Sequence, residues 1–217
     1  VAAAVAAALA ACVVALPTGP APSLAAEVAR DIGATEVGNP ITAVLLAFRA
    51  LDTLLEAIVL VFALIGIWSL APDAAWGGRP GLAQTADPNG MLAYAARILA
   101  PIGIVVGTYI FWIGADHPGG KFQGATILAS MWLLAIMAGL VDAPPIRRAW
   151  LRLLLVAGPL LFVAIGLLGA ATAGAFLGYP QGSAKPLILA IEFALMPTLT
   201  LVLALMLLGA PARPETP

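Results

Sequence analysis

Charge is what this chain has least of. Only 10% of its 217 residues are Asp, Glu, Lys or Arg, against about 25% in soluble domains, which argues against a soluble globular fold. Ten basic residues face eleven acidic ones, for a net charge of −1. No nucleic-acid partner is expected, because such a partner calls for a basic patch. The single cysteine, Cys12, cannot form an internal disulfide or a thiolate cluster, and in its apolar run it reads as a small buried hydrophobe. With one histidine besides, an iron–sulfur or haem site within the chain is not expected, and no cofactor or metal is assigned. Ser23, Ser69, Ser130 and Ser183 have no adjacent base, so a nucleophilic hydrolase is not supported.

What abounds is apolar sequence: 62% hydrophobic residues and a mean hydropathy of +1.05. About 20 apolar residues cross a bilayer. Val1 to Leu16 is an Ala/Val run ending at Pro17. It lacks a basic leader region and reads as a first span rather than a cleaved signal. A net-acidic loop follows, with Pro17, Pro20 and Pro22, then a short helix near Glu27, Arg30, Asp31 and Glu36. Further spans are expected at Pro40–Leu70, Met91–Ile113, Gly124–Val141, Leu151–Leu177 and Pro186–Leu208. The third contains Gly103 and Gly107, a small-residue face for close helix packing. Ala71 to Gly90 is rich in turn residues and forms the best internal boundary. The tail from Gly209 to Pro217 is expected to be too polar and Pro-rich to fold.

The expected fold is therefore an all-α integral membrane protein of about six transmembrane helices, a helical bundle within a larger complex. Trp68, Trp76, Trp112, Trp132 and Trp150 fall mostly near helix ends, as an interfacial belt would have them. Six spans put both termini on one side. Arg79, Arg147, Arg148, Arg152 and Arg213 share that side, with Arg30 and Lys185 opposite. The positive-inside rule then places both termini in the cytoplasm of a multi-pass cell (inner) membrane protein.

The second span carries charge where charge is costly. At about 100° per residue, Arg49, Asp52, Thr53 and Glu56 fall within roughly 100° of arc. Each charge at the bilayer centre costs about 3 kcal/mol or more. Such groups survive when they pair or face protein or water, and they are usually used. Arg49 can neutralise one carboxylate. The other is left beside a like charge, poised to exchange a proton or to bind a sodium ion through oxygen ligands. The plainer alternative is an Arg–Asp pair that locks this helix to a neighbour. Glu192, in the last span before Pro197, is either a further carboxylate on an ion path, near a carbonyl that Pro197 frees, or an interfacial side chain that snorkels.

Two stretches carry a resemblance. Asn39-Pro40-x-Thr42, followed by Phe48-Arg49-Ala50-Leu51-Asp52-Thr53-Leu54-Leu55-Glu56, resembles a membrane segment at the C-terminal end of the large A subunit of Mrp-type sodium/proton antiporters. A similar segment forms a small separate subunit in energy-converting hydrogenases. Gly114-Ala115-Asp116-His117-Pro118-Gly119-Gly120-Lys121-Phe122-Gln123-Gly124 resembles the Gly-x-x-x-Pro-Gly-Gly-Gly-Phe-x-Gly motif of the MnhB-like member of those antiporters and its hydrogenase counterpart. Pro118, Gly119, Gly120, Phe122 and Gly124 match. Ala115-Asp116 stands where many MnhB-like proteins have His-Asn, His117 falls at a variable position, and Lys121 replaces the third glycine. Pro118 and the glycines imply a helix break with close backbone approach. Asp116, His117 and Lys121 either line a polar site at membrane depth or belong to a solvated external turn.

The resemblance implies a fusion: residues 1–72 like the end of the large antiporter subunit, a linker at 73–90, a four-helix MnhB-like part at 91–210, and a disordered tail at 211–217. It implies a non-redox, non-enzymatic subunit of a cation (Na+)/proton antiporter complex. Its partners would be antiporter-like membrane subunits, the lipid bilayer, and Na+ and/or H+. Asp52 and Glu56, gated by Arg49, are the expected half-channel. The alternatives are a place in the membrane arm of an energy-converting hydrogenase or related respiratory oxidoreductase, and a pure scaffold.

Overall fold

The structure, a computed structural model, describes residues 2–16 and 25–214. Pro17, Pro20 and Pro22 of the first loop, and residues 215–217 of the tail, lie outside the described residues. Among the described residues, eight α-helices run in chain order: α1 Ala2–Val14, α2 Ala25–Asp31, α3 Pro40–Ala43, α4 Ala50–Trp68, α5 Met91–Ile113, α6 Lys121–Met137, α7 Ala149–Thr172 and α8 Ala184–Leu208. Two short strands, β1 Arg79–Pro80 and β2 Pro211–Arg213, pair antiparallel.

α4, α5, α7 and α8, of 19, 23, 24 and 25 residues, are long and apolar enough to cross a membrane. The other two expected spans are shorter helices: α1 has 13 residues and α6 has 17. The four long helices thus account for only part of the expected six. α1 is exposed along its described length, Cys12 included, so this cysteine is not the buried side chain expected of it. α5 ends where the sequence predicts. α6 starts at Lys121 rather than Gly124, because Gly120 already supplies the extended turn that precedes a helix.

α8 is the axis of the bundle. α6 and α7 pack along it, α4 leans on α7 and α8, and α5 pairs with α6. One core cluster joins Leu46, Leu54, Phe162, Ile188, Ile191, Leu195 and Leu199. A second joins Leu64, Trp68, Ile146, Leu151, Leu155, Val202 and Leu205. The Gly103/Gly107 face does what small residues do in lipid. A Cβ on Gly107 would stand 3.2 Å from the Gly124 carbonyl oxygen, so the backbones of α5 and α6 meet there. Between α7 and α8, the Thr198 hydroxyl donates to the Leu154 carbonyl at 2.7 Å and accepts from the Gly158 N–H at 3.2 Å.

The expected single helix from Pro40 to Leu70 is interrupted. Asn39 caps α3, its Oδ1 accepting from the Ile41 N–H at 3.0 Å, and Pro40 fits the first turn. Val44–Phe48 then widens into a π-helical turn, and Arg49 leaves helical geometry at φ −129°, ψ 36° before α4 begins. A broken helix at membrane depth exposes carbonyls that need donors. Thr53 Oγ1 donates to the Leu45 oxygen at 2.6 Å, and the Tyr179 hydroxyl donates to the Leu46 oxygen at 2.5 Å.

Within the described part of the tail, Pro211–Arg213 forms a strand where a loose end was expected. Arg213 in β2 grips Asp142, with Nη2 to Oδ1 at 2.7 Å and Nη1 to Oδ2 at 3.0 Å. Arg79 in β1 lies 3.7 Å from the same carboxylate and donates to the Ala143 oxygen at 2.6 Å. The Ile146 N–H donates to the Gly78 oxygen at 2.9 Å. The 73–90 stretch is therefore tied to both the α6–α7 loop and the C-terminal strand, and one carboxylate compensates two arginines. The prolines and polar residues suggest a loose end, but the strand pairing is a long-range contact.

Arg213, above all, holds the Asp142 carboxyl below its ordinary value of 3.8. The clasp should therefore contribute in full above pH 3.8 and weaken as pH falls through the lower folded-state value. D142N should cost about 0.5–1 kcal/mol, since the pair is half exposed. Thermal unfolding in detergent near neutral pH should show the drop, and the difference between variant and parent should close at acid pH.

Candidate ion site

The two signature stretches meet. After α5 the chain turns through Gly114–Gly120, with Gly119 at φ +156° and Gly120 at φ +131°, conformations that favour glycine. The His117 N–H donates to the Ile113 oxygen at 2.9 Å and the Gly120 N–H to the Ile110 oxygen at 3.1 Å, folding the loop back over the end of α5. Asn39 docks on it. Its Nδ2 donates to the Gly114 oxygen at 2.8 Å and to the His117 oxygen at 2.9 Å, and its own N–H donates to the Ala115 oxygen at 3.0 Å. Thr42 Oγ1 donates to the same Gly114 oxygen at 2.7 Å.

The outer part of the loop is polar and open. Lys185, near the start of α8, holds Asp116 through both carboxylate oxygens at 2.9 Å, and the Gly38 N–H adds a third bond at 3.1 Å. Lys185 first, then Gly38, holds the Asp116 carboxyl below its ordinary value of 3.8. His117 and Pro118 are exposed, and His117 contributes only backbone groups to these contacts. Phe122 packs against the main core, and Gly124 lies against Gly107 and Phe111.

Lys121 belongs elsewhere. It is 5% exposed at the first position of α6, and Glu192 in α8 is 2% exposed. Together with Glu56 of α4 they line a cavity of about 220 Å³, along with Thr42, Leu45 and Gln123. A second cavity of about 200 Å³ lies beside it, lined by Ala115, Asp116, Lys185, Phe193 and again Glu192. Glu192 thus stands in the wall of both, with the Asp116–Lys185 pair on one side and Lys121 and Glu56 on the other. Phe193 packs edge-on against Phe111 at 4.9 Å, giving the second cavity an aromatic wall. A larger groove of about 690 Å³, between α2 and the π-helical turn, includes none of Glu56, Lys121 and Glu192 in its lining.

The four residues expected to share one seam have different surroundings. Arg49 and Asp52 pair at 2.6 Å, with side chains 70% and 52% exposed, on the outer face. Thr53 is buried and spent on the Leu45 carbonyl. Glu56 is exposed and faces the cavity rather than sharing a site with Asp52. Asp52, Thr53 and Glu56 keep helical phase within α4, but their arc of roughly 100° straddles the edge of the buried face, with Thr53 on the inner side and Asp52 on the outer. Sequence reasoning left Lys185 as a topology marker and passed over Tyr179, whose roles depend on contacts across 69 and 133 residues.

Apolar helices wrapped around buried ionisable groups, with another carboxylate open to the outside, define a multi-pass membrane subunit. Residues 91–211 match the family model described as a domain related to the MnhB subunit of Na+/H+ antiporter. That is more than half of the chain, and the chain belongs to this family. Two solved structures are similar. One is the membrane-bound sulfane sulfur reductase, an archaeal respiratory membrane complex. Against a chain of it the identity is 25% and the TM-score 0.68, over 95% of this chain and 94% of that one. The other is the Mrp complex from Dietzia sp. DQ12-45-1b. There the identity is 22% and the TM-score 0.62, over 100% of this chain and 26% of that one, a likeness of fold. No curated protein matches the sequence. The family and these folds make the chain a subunit of a larger membrane complex.

Asn39 is 5% exposed and joins a helix cap to two loop carbonyls. N39A removes the cap, takes the side-chain donor from the His117 carbonyl and leaves the Gly114 carbonyl with Thr42 as its one side-chain donor, so it should cost about 2–4 kcal/mol. Thermal unfolding of the detergent-solubilised protein should show that loss. T42V, which removes one of the two side-chain donors to Gly114, should show roughly half of it by the same reasoning.

Proposed function

We propose that this chain is a non-redox, non-enzymatic subunit of a multisubunit cation/proton antiporter complex, contributing both to its ion path and to its assembly. The observation that carries this is Glu192, a buried carboxylate in the wall of two cavities that other charged side chains also line. A carboxylate so placed can take a proton or a cation from the Asp116–Lys185 end and pass it toward Glu56. Charge inside the membrane is costly, and an unused carboxylate there would be an expense without return. Glu56 lies on an exposed flank of α4, so its far side wants a partner protein to shield and continue the route. Arg49 and Asp52, also outward, serve docking to such a partner. In this reading residues 1–72 play the part of the end of the large antiporter subunit, fused to the MnhB-like part at 91–210. The Arg79/Arg147/Arg213 end faces the cytoplasm of a cell membrane, with both termini on that side.

A second reading has its own support. The match to the sulfane sulfur reductase chain runs end to end, at nearly equal length. A place in the membrane arm of a redox-driven complex fits that observation, with the same ion path coupled to electron transfer in other subunits. Identifying the subunits that copurify separates the two readings: iron–sulfur or nickel–iron subunits indicate the second.

In either setting E192Q in the assembled complex should reduce coupled ion translocation roughly tenfold or more, equivalent to about 1.4 kcal/mol in barrier. E56Q should do likewise, and D52N should lower complex yield more than turnover. Proteoliposome transport normalised to intact complex gives the answer. Parent rates in E192Q and E56Q would end the ion-path reading and leave a scaffold.

A further inference from the structure

Lys121 departs from the motif around it, standing where the resembled sequence has a third glycine. Its side chain is 5% exposed and lines the cavity with Glu56 and Glu192. Both carboxylates act on it electrostatically, Glu192 more than Glu56. α4 supplies Glu56 and α8 supplies Glu192; Gln123 is an uncharged neighbour, and α5 gives the lining no charged side chain. At about 220 Å³ the space has room for several waters, each taking about 30 Å³ of liquid. A lysine facing two carboxylates across such a space already fills the electrostatic role of a bound monovalent cation.

We propose that Lys121 is a tethered counter-cation that excludes sodium from this cavity, so that Glu192 and Glu56 carry protons. The inference rests on the ion-path reading above and specifies its ion. With all three groups ionised, two carboxylates and one ammonium leave one surplus negative charge. A single proton, bonded to a carboxylate oxygen, neutralises it. A sodium ion would have to gather oxygen ligands beside a fixed like charge, in a medium where charges act strongly on one another. With glycine at this position the surplus would be two negative charges, and a metal cation would be drawn in.

The test uses the purified native complex and 22Na+ at constant ionic strength. The parent complex should retain no sodium that depends on Glu192. K121M, which keeps chain length without the charge, should bind sodium roughly tenfold more tightly or better, as removal of an opposing unit charge predicts. K121M/E192Q should lose that gain, and K121R should behave as the parent. Should K121M fail to assemble, K121G, which restores the residue of the resembled motif, takes its place. Sodium retained by the parent and lost in E192Q overturns the proposal whatever the Lys121 variants do. Equal sodium binding in parent and K121M or K121G also overturns it. If E192Q abolishes transport while either result holds, the ion path stands and only its proton selectivity falls.

Discussion

The Gly114 carbonyl oxygen receives two side-chain donors, Asn39 Nδ2 and Thr42 Oγ1, both from the segment before the π-helical turn. Everything near the cavity depends on this joint. It clamps the start of α3 to the end of α5 and thereby sets the height of α4 beside α6 and α8. Remove it, and nothing in the apolar packing fixes the register of Glu56 against Lys121, because side chains such as Leu54 and Ile188 can slide along one another at little cost. A hydrogen bond in a medium without water cannot slide so freely. The polar joint gives the helix contact its specificity.

The same reasoning explains why irregular backbone gathers on one side of the bundle. The π-helical turn, the break at Arg49 and the Gly114–Gly120 loop each expose groups that lipid cannot satisfy. Each is answered by the chain itself: Leu45 by Thr53, Leu46 by Tyr179, Gly114 by Asn39 and Thr42. The opposite end is held by charge instead, Arg79 and Arg213 on Asp142. A broken helix is tolerated at one end, where side-chain donors cover its carbonyls, and the bundle is tied off at the other by a polar clasp.

The helical architecture was legible because the apolar runs around Ala50–Trp68, Ala149–Thr172 and Ala184–Leu208 are long and nearly free of charge. The motif residues were legible too, since Pro118 and the glycines announce a turn. What the sequence does not display is where a turn points. Lys121 and His117 are four residues apart, yet one is buried against a cavity and the other is exposed, because α6 begins at Lys121 and His117 stays in the loop before it. Periodicity gives a shared face but not where the buried boundary cuts it, so Thr53 is buried while Asp52 and Glu56 of the same arc are exposed. Nothing in Pro211–Arg213 reveals a partner strand some 130 residues earlier.

One carboxylate serving two cavities has a consequence for how the chain can work. In the proposed ion path, a side chain in the wall of both spaces would control passage by its charge, since each face sees the same ionisation. The Asp116–Lys185 side is open, with side chains 48% and 35% exposed. The Glu56 side ends at the outer surface of α4, where a carboxylate facing lipid alone would be strongly disfavoured. The proposed route, open at one end and reaching a surface that needs cover at the other, is incomplete within one chain. On that proposal its missing half is protein, a requirement that follows from the cost of burying charge as much as from the family to which the chain belongs.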